Sequence, residues 1–245
     1  MSLIGMQTAL GRMVRAGEHA DSAKLADLDL SSDERSRMSR VLASPGFRFT
    51  ARIQRSWCEA RAVRGARLAL SILSPAKRRQ LVGEWVDCGG GTNSFFLAEA
   101  DGFLDFLAQR LPNPSHALSL CRFEQAVLRA EATAASFASP DGACLDDPAC
   151  MLQSGRHAAL VHLFTEPDRL LAALEGEGAL PPLSTMQCPV LVAPGLSGLA
   201  RRSDAAERAL WHALAEPTPV VALLQQGHSR DAFANFLACG VAEQA

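Results

Sequence analysis

Pro189-Val190-Leu191-Val192-Ala193-Pro194-Gly195 holds the densest β signal in the chain. Prolines bracket an apolar centre with two β-branched residues, the composition of a buried strand. Gly195 and Gly198 flank a turn, and residues 199–202 are placed to return as a partner strand. Upstream, residues 158–164 (AALVHLF) form a compact apolar run that suits a strand, although periodicity alone does not separate strand from helix over so short a stretch. Short helical patterns surround these runs at 168–174, 204–215, 220–226 and 229–239, with Gly227 and Gly240 as stops.

Everything before this region reads as helix. Residues 1–17 space Leu3, Ile4, Met6, Leu10, Met13 and Val14 at helical intervals with Arg12 and Arg15 interleaved, an amphipathic helix and not a signal peptide. Residues 18–34 are acidic and polar, and Ser31-Ser32-Asp33-Glu34 offers an N-cap. After the Ser44-Pro45-Gly46 break, residues 49–72 fit one helix, and Pro75 suits the first turn of the next. Cys88-Gly89-Gly90-Gly91-Thr92-Asn93 interrupts the pattern, which resumes over 94–111. Ser115 caps a further helix over 117–137, and 139–148 is a loop of small and acidic residues. The expected architecture is mostly α: a helical domain over residues 1–153 and a small α/β winged-helix-like, peptide-recognition-like domain over 154–245.

The 245 residues are 48% hydrophobic and 20% charged, ordinary for a packed globular chain. A net charge of -2 with scattered arginines argues against nucleic acid as a partner, because duplex binding needs a clustered basic footprint. No run approaches the roughly 18 apolar residues that span a bilayer, so no membrane role is expected and a cytoplasmic location follows. Seven cysteines at irregular spacing, without C-x-x-C, read as reduced and mostly buried thiols.

The segments able to carry chemistry do not complete a motif. Residues 88–93 match neither the phosphate-binding G-x-x-x-x-G-K-[ST] nor the dinucleotide G-x-G-x-x-G, so a tight turn or close helix crossing is favoured over a ligand cradle. Gly195-Leu196-Ser197-Gly198 falls one residue short of a nucleophile elbow. His157 and His162 are not at the i, i+4 spacing that puts two imidazoles on one helical face, His116, His212 and His228 are isolated, and Cys144 and Cys150 beside Asp146-Asp147 match no strong ligand pattern. No catalytic or metal-ligating residue is therefore assigned. Arg122, Phe123 and Glu124, set among apolar neighbours on the helix after Ser115, are candidates for a partner interface.

The order of segments resembles a family. Residues 52–73, RRQLVGE at 78–84, FLDFL at 103–107 and LSLCRFEQA at 118–126 resemble the helical half of bacterial partner proteins encoded beside TIM-barrel multinuclear non-haem iron oxidases. Those oxidases modify ribosomally made peptides, as in methanobactin-type and 3-thiaglutamate-type pathways. Residues 190–195, 207–214 and 223–227 look like the closing module of the same family, and the likeness covers most of residues 45–240 as segment order and texture. The resemblance implies a non-catalytic subunit that binds a precursor peptide and presents its cysteine to the oxidase. The iron would belong to that oxidase, with no cofactor in this chain. An exposed strand edge suits such a task, and Val190, Leu191, Val192, Leu199, Arg201 and Arg202 are the candidate peptide-binding residues, with the two arginines placed to meet acidic leader residues. A core hairpin is the competing reading of the same segment. Two other functions fit the outline: a winged-helix-type DNA-binding regulator, and a cysteine-dependent enzyme in which Arg122 lowers the pKa of Cys121.

Overall fold

The computed structural model describes residues 3–17, 30–93, 95–140, 142–147, 149–176 and 178–245. Most of the acidic segment expected over 18–34 lies outside the described residues. The chain is mostly helical, with two small antiparallel sheets, and divides into two compact units. One comprises residues 1–65 and 74–103, the other residues 66–73 and 104–245. The change of texture that set the expected boundary falls later, after residue 153.

In the first unit, α1 (Leu3–Ala16), α2 (Ser32–Ala43), α3 (Pro45–Gly65) and α5 (Pro75–Asp87) pack with the first turns of α6 (Phe96–Ala108). The Ser31 hydroxyl accepts the Glu34 N–H while the Glu34 carboxylate accepts the Ser31 N–H, a reciprocal cap that fixes where α2 begins. Ser74 caps α5 with Pro75 in its first turn. Ala9, Met13, Met38, Phe47 and Ala51 form one apolar cluster. The glycine-rich segment is a packing turn. A side chain at Gly91, which sits at φ +81°, would collide with Cys58 of α3, and buried Glu99 accepts the N–H groups of Gly91 and Asn93.

The expected single helix over 49–72 is broken. α3 stops at Gly65, Ala66 takes a non-helical conformation, and α4 (Arg67–Ser71) belongs to the second unit. There it packs against α7 (His116–Ala134), whose start is capped by Ser115.

The rest of the second unit is built on two three-stranded sheets. β1 (Met151–Ser154) lies between β5 (Thr218–Pro219) and β6 (Ala242–Gln244). β3 (Cys188–Val192) lies between β2 (Ala159–Leu163) and β4 (Ala200–Arg202). α8 (Pro167–Leu174) joins β2 to β3, and α9 (Ala205–Ala213), α10 (Val220–Gln225) and α11 (Arg230–Ala238) close the chain. Side chains alternate across the β2–β3–β4 sheet. Val161, Leu163, Val190 and Val192 pack on Ala126 and Ala130 of α7, whereas Leu191 and Leu160 join Leu210, Leu223, Phe233 and Phe236 on the opposite face.

Candidate functional site

β3 is the centre of its sheet. Val190, Leu191 and Val192 are 5%, 0% and 0% exposed and pair with β2 on one side and β4 on the other. The expectation that these three residues offer an open edge is corrected: both rows of their backbone groups are spent within the sheet, and both faces are covered.

β4 is an edge. The Ala193 N–H donates to the Leu199 carbonyl and the Ser203 N–H to the Pro189 carbonyl, each at 3.0 Å. These bonds set the phase of the ladder, so Leu199 and Arg201 turn toward β3 while Ala200 and Arg202 turn their backbone groups outward. Leu199 enters the strand at φ +65° behind Gly198 at φ +69°, a left-handed turn that costs a branched residue on the order of 1 kcal/mol. The two arginines do not face a guest as free charges. Arg201 grips Glu207 with two hydrogen bonds, one of them 2.8 Å long, and Arg202 reaches Glu166 at 2.8 Å. Beside this edge lies an apolar cavity of about 270 Å³, lined by Leu120, Phe123, Leu163, Leu170, Val190 and Ala200 among others.

The three candidate interface residues diverge. Phe123 is half-buried against the sheet and lines that cavity. Glu124 turns inward, accepting the N–H groups of Leu68 at 2.6 Å and Ala69 at 2.9 Å. It supplies the cap that Ala66 cannot, since Ala66 has no side-chain oxygen. Burial pushes the Glu124 pKa up, and the two N–H donors oppose that rise. Arg122 alone is exposed, with no ion-pair partner among the described residues.

Arg122 borders a feature that sequence reading missed. The phase of β3 turns the backbone groups of Ala159, Val161 and Leu163 inward to the ladder, leaving those of Leu160 and His162 on the outer edge of β2. The Phe164 carbonyl, next on that edge, accepts the Ser184 N–H at 2.7 Å. Along Leu160 and His162 runs a groove of about 260 Å³ between β2 and α7, lined by Arg122, Gln125, Arg129, Arg156 and His157 among others. Arg129 reaches Asp105 at 3.8 Å between exposed side chains, and the exposed Arg156 reaches the half-buried Glu243 at 3.3 Å; pairing by such solvated arginines is weak. Burial holds the His162 pKa below its ordinary value, reinforced by the positive neighbours His212, Arg208 and Arg122. His162 is therefore neutral near pH 7, and the groove owes its positive charge to arginine.

No protein-family model matches the chain, and no curated protein is similar to it.

The remaining chemical candidates lose their reactive geometry. Cys121 is wholly buried, donates to the Leu104 carbonyl at 3.2 Å, and has its pKa pushed up to about 12 by burial. Arg122 does not offset that burial, so the thiolate that nucleophilic chemistry requires is not formed near neutral pH. Cys144 and Cys150 do come close, and burial with the neighbouring Cys144 raises Cys150 to about 11. Asp146 beside them is taken by Arg230. Among the described residues no three His, Cys, Asp or Glu side chains gather to hold a metal ion. His116 is a core residue whose Nε2 meets the Pro181 carbonyl at 2.8 Å.

Proposed function

We propose that this chain is a non-catalytic subunit that binds an extended, acidic segment of a ribosomally made precursor peptide and presents it to an iron oxidase that modifies a cysteine. The observation that carries the peptide reading is the open edge of β2, with the backbone groups of Leu160 and His162 facing a groove whose α7 wall bears the unpaired Arg122. A guest strand would gain main-chain hydrogen bonds from the edge and charge selection from the arginines. In this reading β2, β3 and β4 act as the β element of a winged-helix-like module and α7 as the wall that keeps the guest in register. The edge of β4 ranks second because Glu207 and Glu166 already neutralise Arg201 and Arg202. The oxidase partner rests on the resemblance, in segment order and texture, of most of residues 45–240 to the partner subunits.

Coexpression with a multinuclear iron oxidase and a precursor peptide of the kind the resemblance implies tests the assignment. The expected result is a ternary complex on gel filtration, from which Leu160→Pro loses the peptide and keeps the oxidase. A purified chain that binds neither, yet retards duplex DNA in a salt-dependent way, would replace this reading with that of a regulator.

A further inference from the structure

α3 is apolar on two faces. Phe47, Ala51, Cys58 and Ala62 are buried inside the first unit. Phe49, Ile53 and Trp57, spaced four residues apart, stand on another face at 66%, 45% and 66% exposure. At a rise of ~1.5 Å per residue they form a ridge about 12 Å long, the i±4 row that helices use to pack on one another. Exposed single apolar residues need no explanation, but an aligned aromatic–aliphatic–aromatic ridge is the composition of a binding hot spot.

The charges on α3 indicate what covers the ridge. The helix carries Arg48, Arg52, Arg55, Arg61 and Arg64 against one acid, Glu59. Glu59 is held by Arg55, which also grips Asp87. Arg61 donates to the Asn93 carbonyl. Arg48, Arg52 and Arg64 have no carboxylate partner among the described residues; helical spacing sets Arg52 on one flank of the ridge and Arg64 two turns beyond Trp57 along the ridge's own row. Arg64 stands 5.6 Å from the Phe96 ring, which extends the apolar surface beyond the ridge. A second copy of this chain is a poor occupant. Antiparallel docking about Ile53 would set Arg52 against its own symmetry mate, and like charges facing one another destabilise.

We propose that the Phe49–Ile53–Trp57 ridge docks an amphipathic helix of a partner protein, apolar on one face and flanked there by Asp and Glu. This surface belongs to the first unit and does not depend on the peptide reading of the β2 groove.

The test titrates the full chain, read by Trp fluorescence and calorimetry, with a synthetic amphipathic helix of about 20 residues carrying Leu on one face and Glu flanks, and with its Lys-flanked counterpart. The Glu-flanked helix is expected to bind at least ~10-fold more tightly, with the advantage shrinking at about 1 M salt. Trp57→Ser removes binding, and because Trp57 is exposed the fold is retained, which circular dichroism checks. Arg48→Glu combined with Arg52→Glu reverses the preference between the two helices. Equal affinity for both helices, or no saturation by either, overturns the proposal. So does a concentration-dependent dimer abolished by Trp57→Ser, which names a second copy as occupant, or cosedimentation with phosphatidylserine vesicles in place of peptide binding.

Discussion

The Glu124 carboxylate accepts the Leu68 N–H at 2.6 Å across a sequence separation of 56 residues. The bond ends the long helical stretch at Ala66 by providing a distant acceptor for the N-terminus of α4, and it fixes α7 against that short helix. Removing the side chain strands two N–H groups, so Glu124→Ala is expected to cost about 1–3 kcal/mol of stability in urea unfolding. Glu124→Gln, which keeps one good acceptor, should cost less. Because the carboxyl pKa is raised on folding, the folded chain holds the proton more tightly, and stability from this group falls as pH rises from 4.5 through the folded pKa. A Glu124→Gln chain should lack that component of the pH profile.

Arg122 and Arg201 separate the two sheet edges. If an acidic guest adds to β2, Arg122→Glu weakens peptide binding by about 10-fold or more and reduces its salt dependence. Arg201→Glu is expected to leave affinity within about 2-fold, although it breaks the contact with Glu207 and lowers stability. Isothermal titration at two salt concentrations reads both effects, and the opposite ranking would move the site to β4.

His162 gives the groove a pH response. Its folded pKa lies below the ordinary 6.5, so protonation favours the unfolded chain, and stability from this group is lost as pH falls from about 6.5 through the folded value. The same protonation adds a cation beside Arg122, Arg208 and His212, while guest carboxylates stay ionised to about pH 4. Peptide affinity should therefore rise as pH falls below 6.5 through the folded pKa, even as the unfolding midpoint drops. His162→Gln should flatten both trends; an unaltered affinity profile in that variant would remove His162 from the site.

Cys121 should behave as a core residue. In the folded chain it is expected to resist maleimide at about pH 7.5, while the exposed Cys88 reacts. Cys121→Ser should retain binding, with stability as its only loss. A variant that folds normally and has lost function would restore the thiol reading.

Features governed by nearest neighbours were legible in the sequence. The Ser31–Glu34 cap, the Ser115 cap, Pro75 in the first turn of α5, and the strands around Val161 and Val190 all depend on residues a few positions apart. The sheet of β1, β5 and β6 was not legible. It is short and partly polar, and it pairs Leu152 with both Thr218 and Gln244, contacts that no local pattern encodes. The same limit explains the site. Apolar alternation marks a strand without saying whether it is central, so Val190–Val192 read as an edge while the open edge is on β2. Arg122 stood out by its setting among apolar residues, yet the groove it borders exists only once α7 lies across β2.

Amide hydrogen exchange at Leu160 and His162 tests the central claim most directly, using an alternating Val–Glu peptide of about eight residues as the guest. Strand addition at β2 predicts that both amides slow by at least about 10-fold at saturation while those of Ala200 and Arg202 are unchanged. Bound peptide with no protection at Leu160 and His162, or with protection at Ala200 and Arg202 instead, would contradict it.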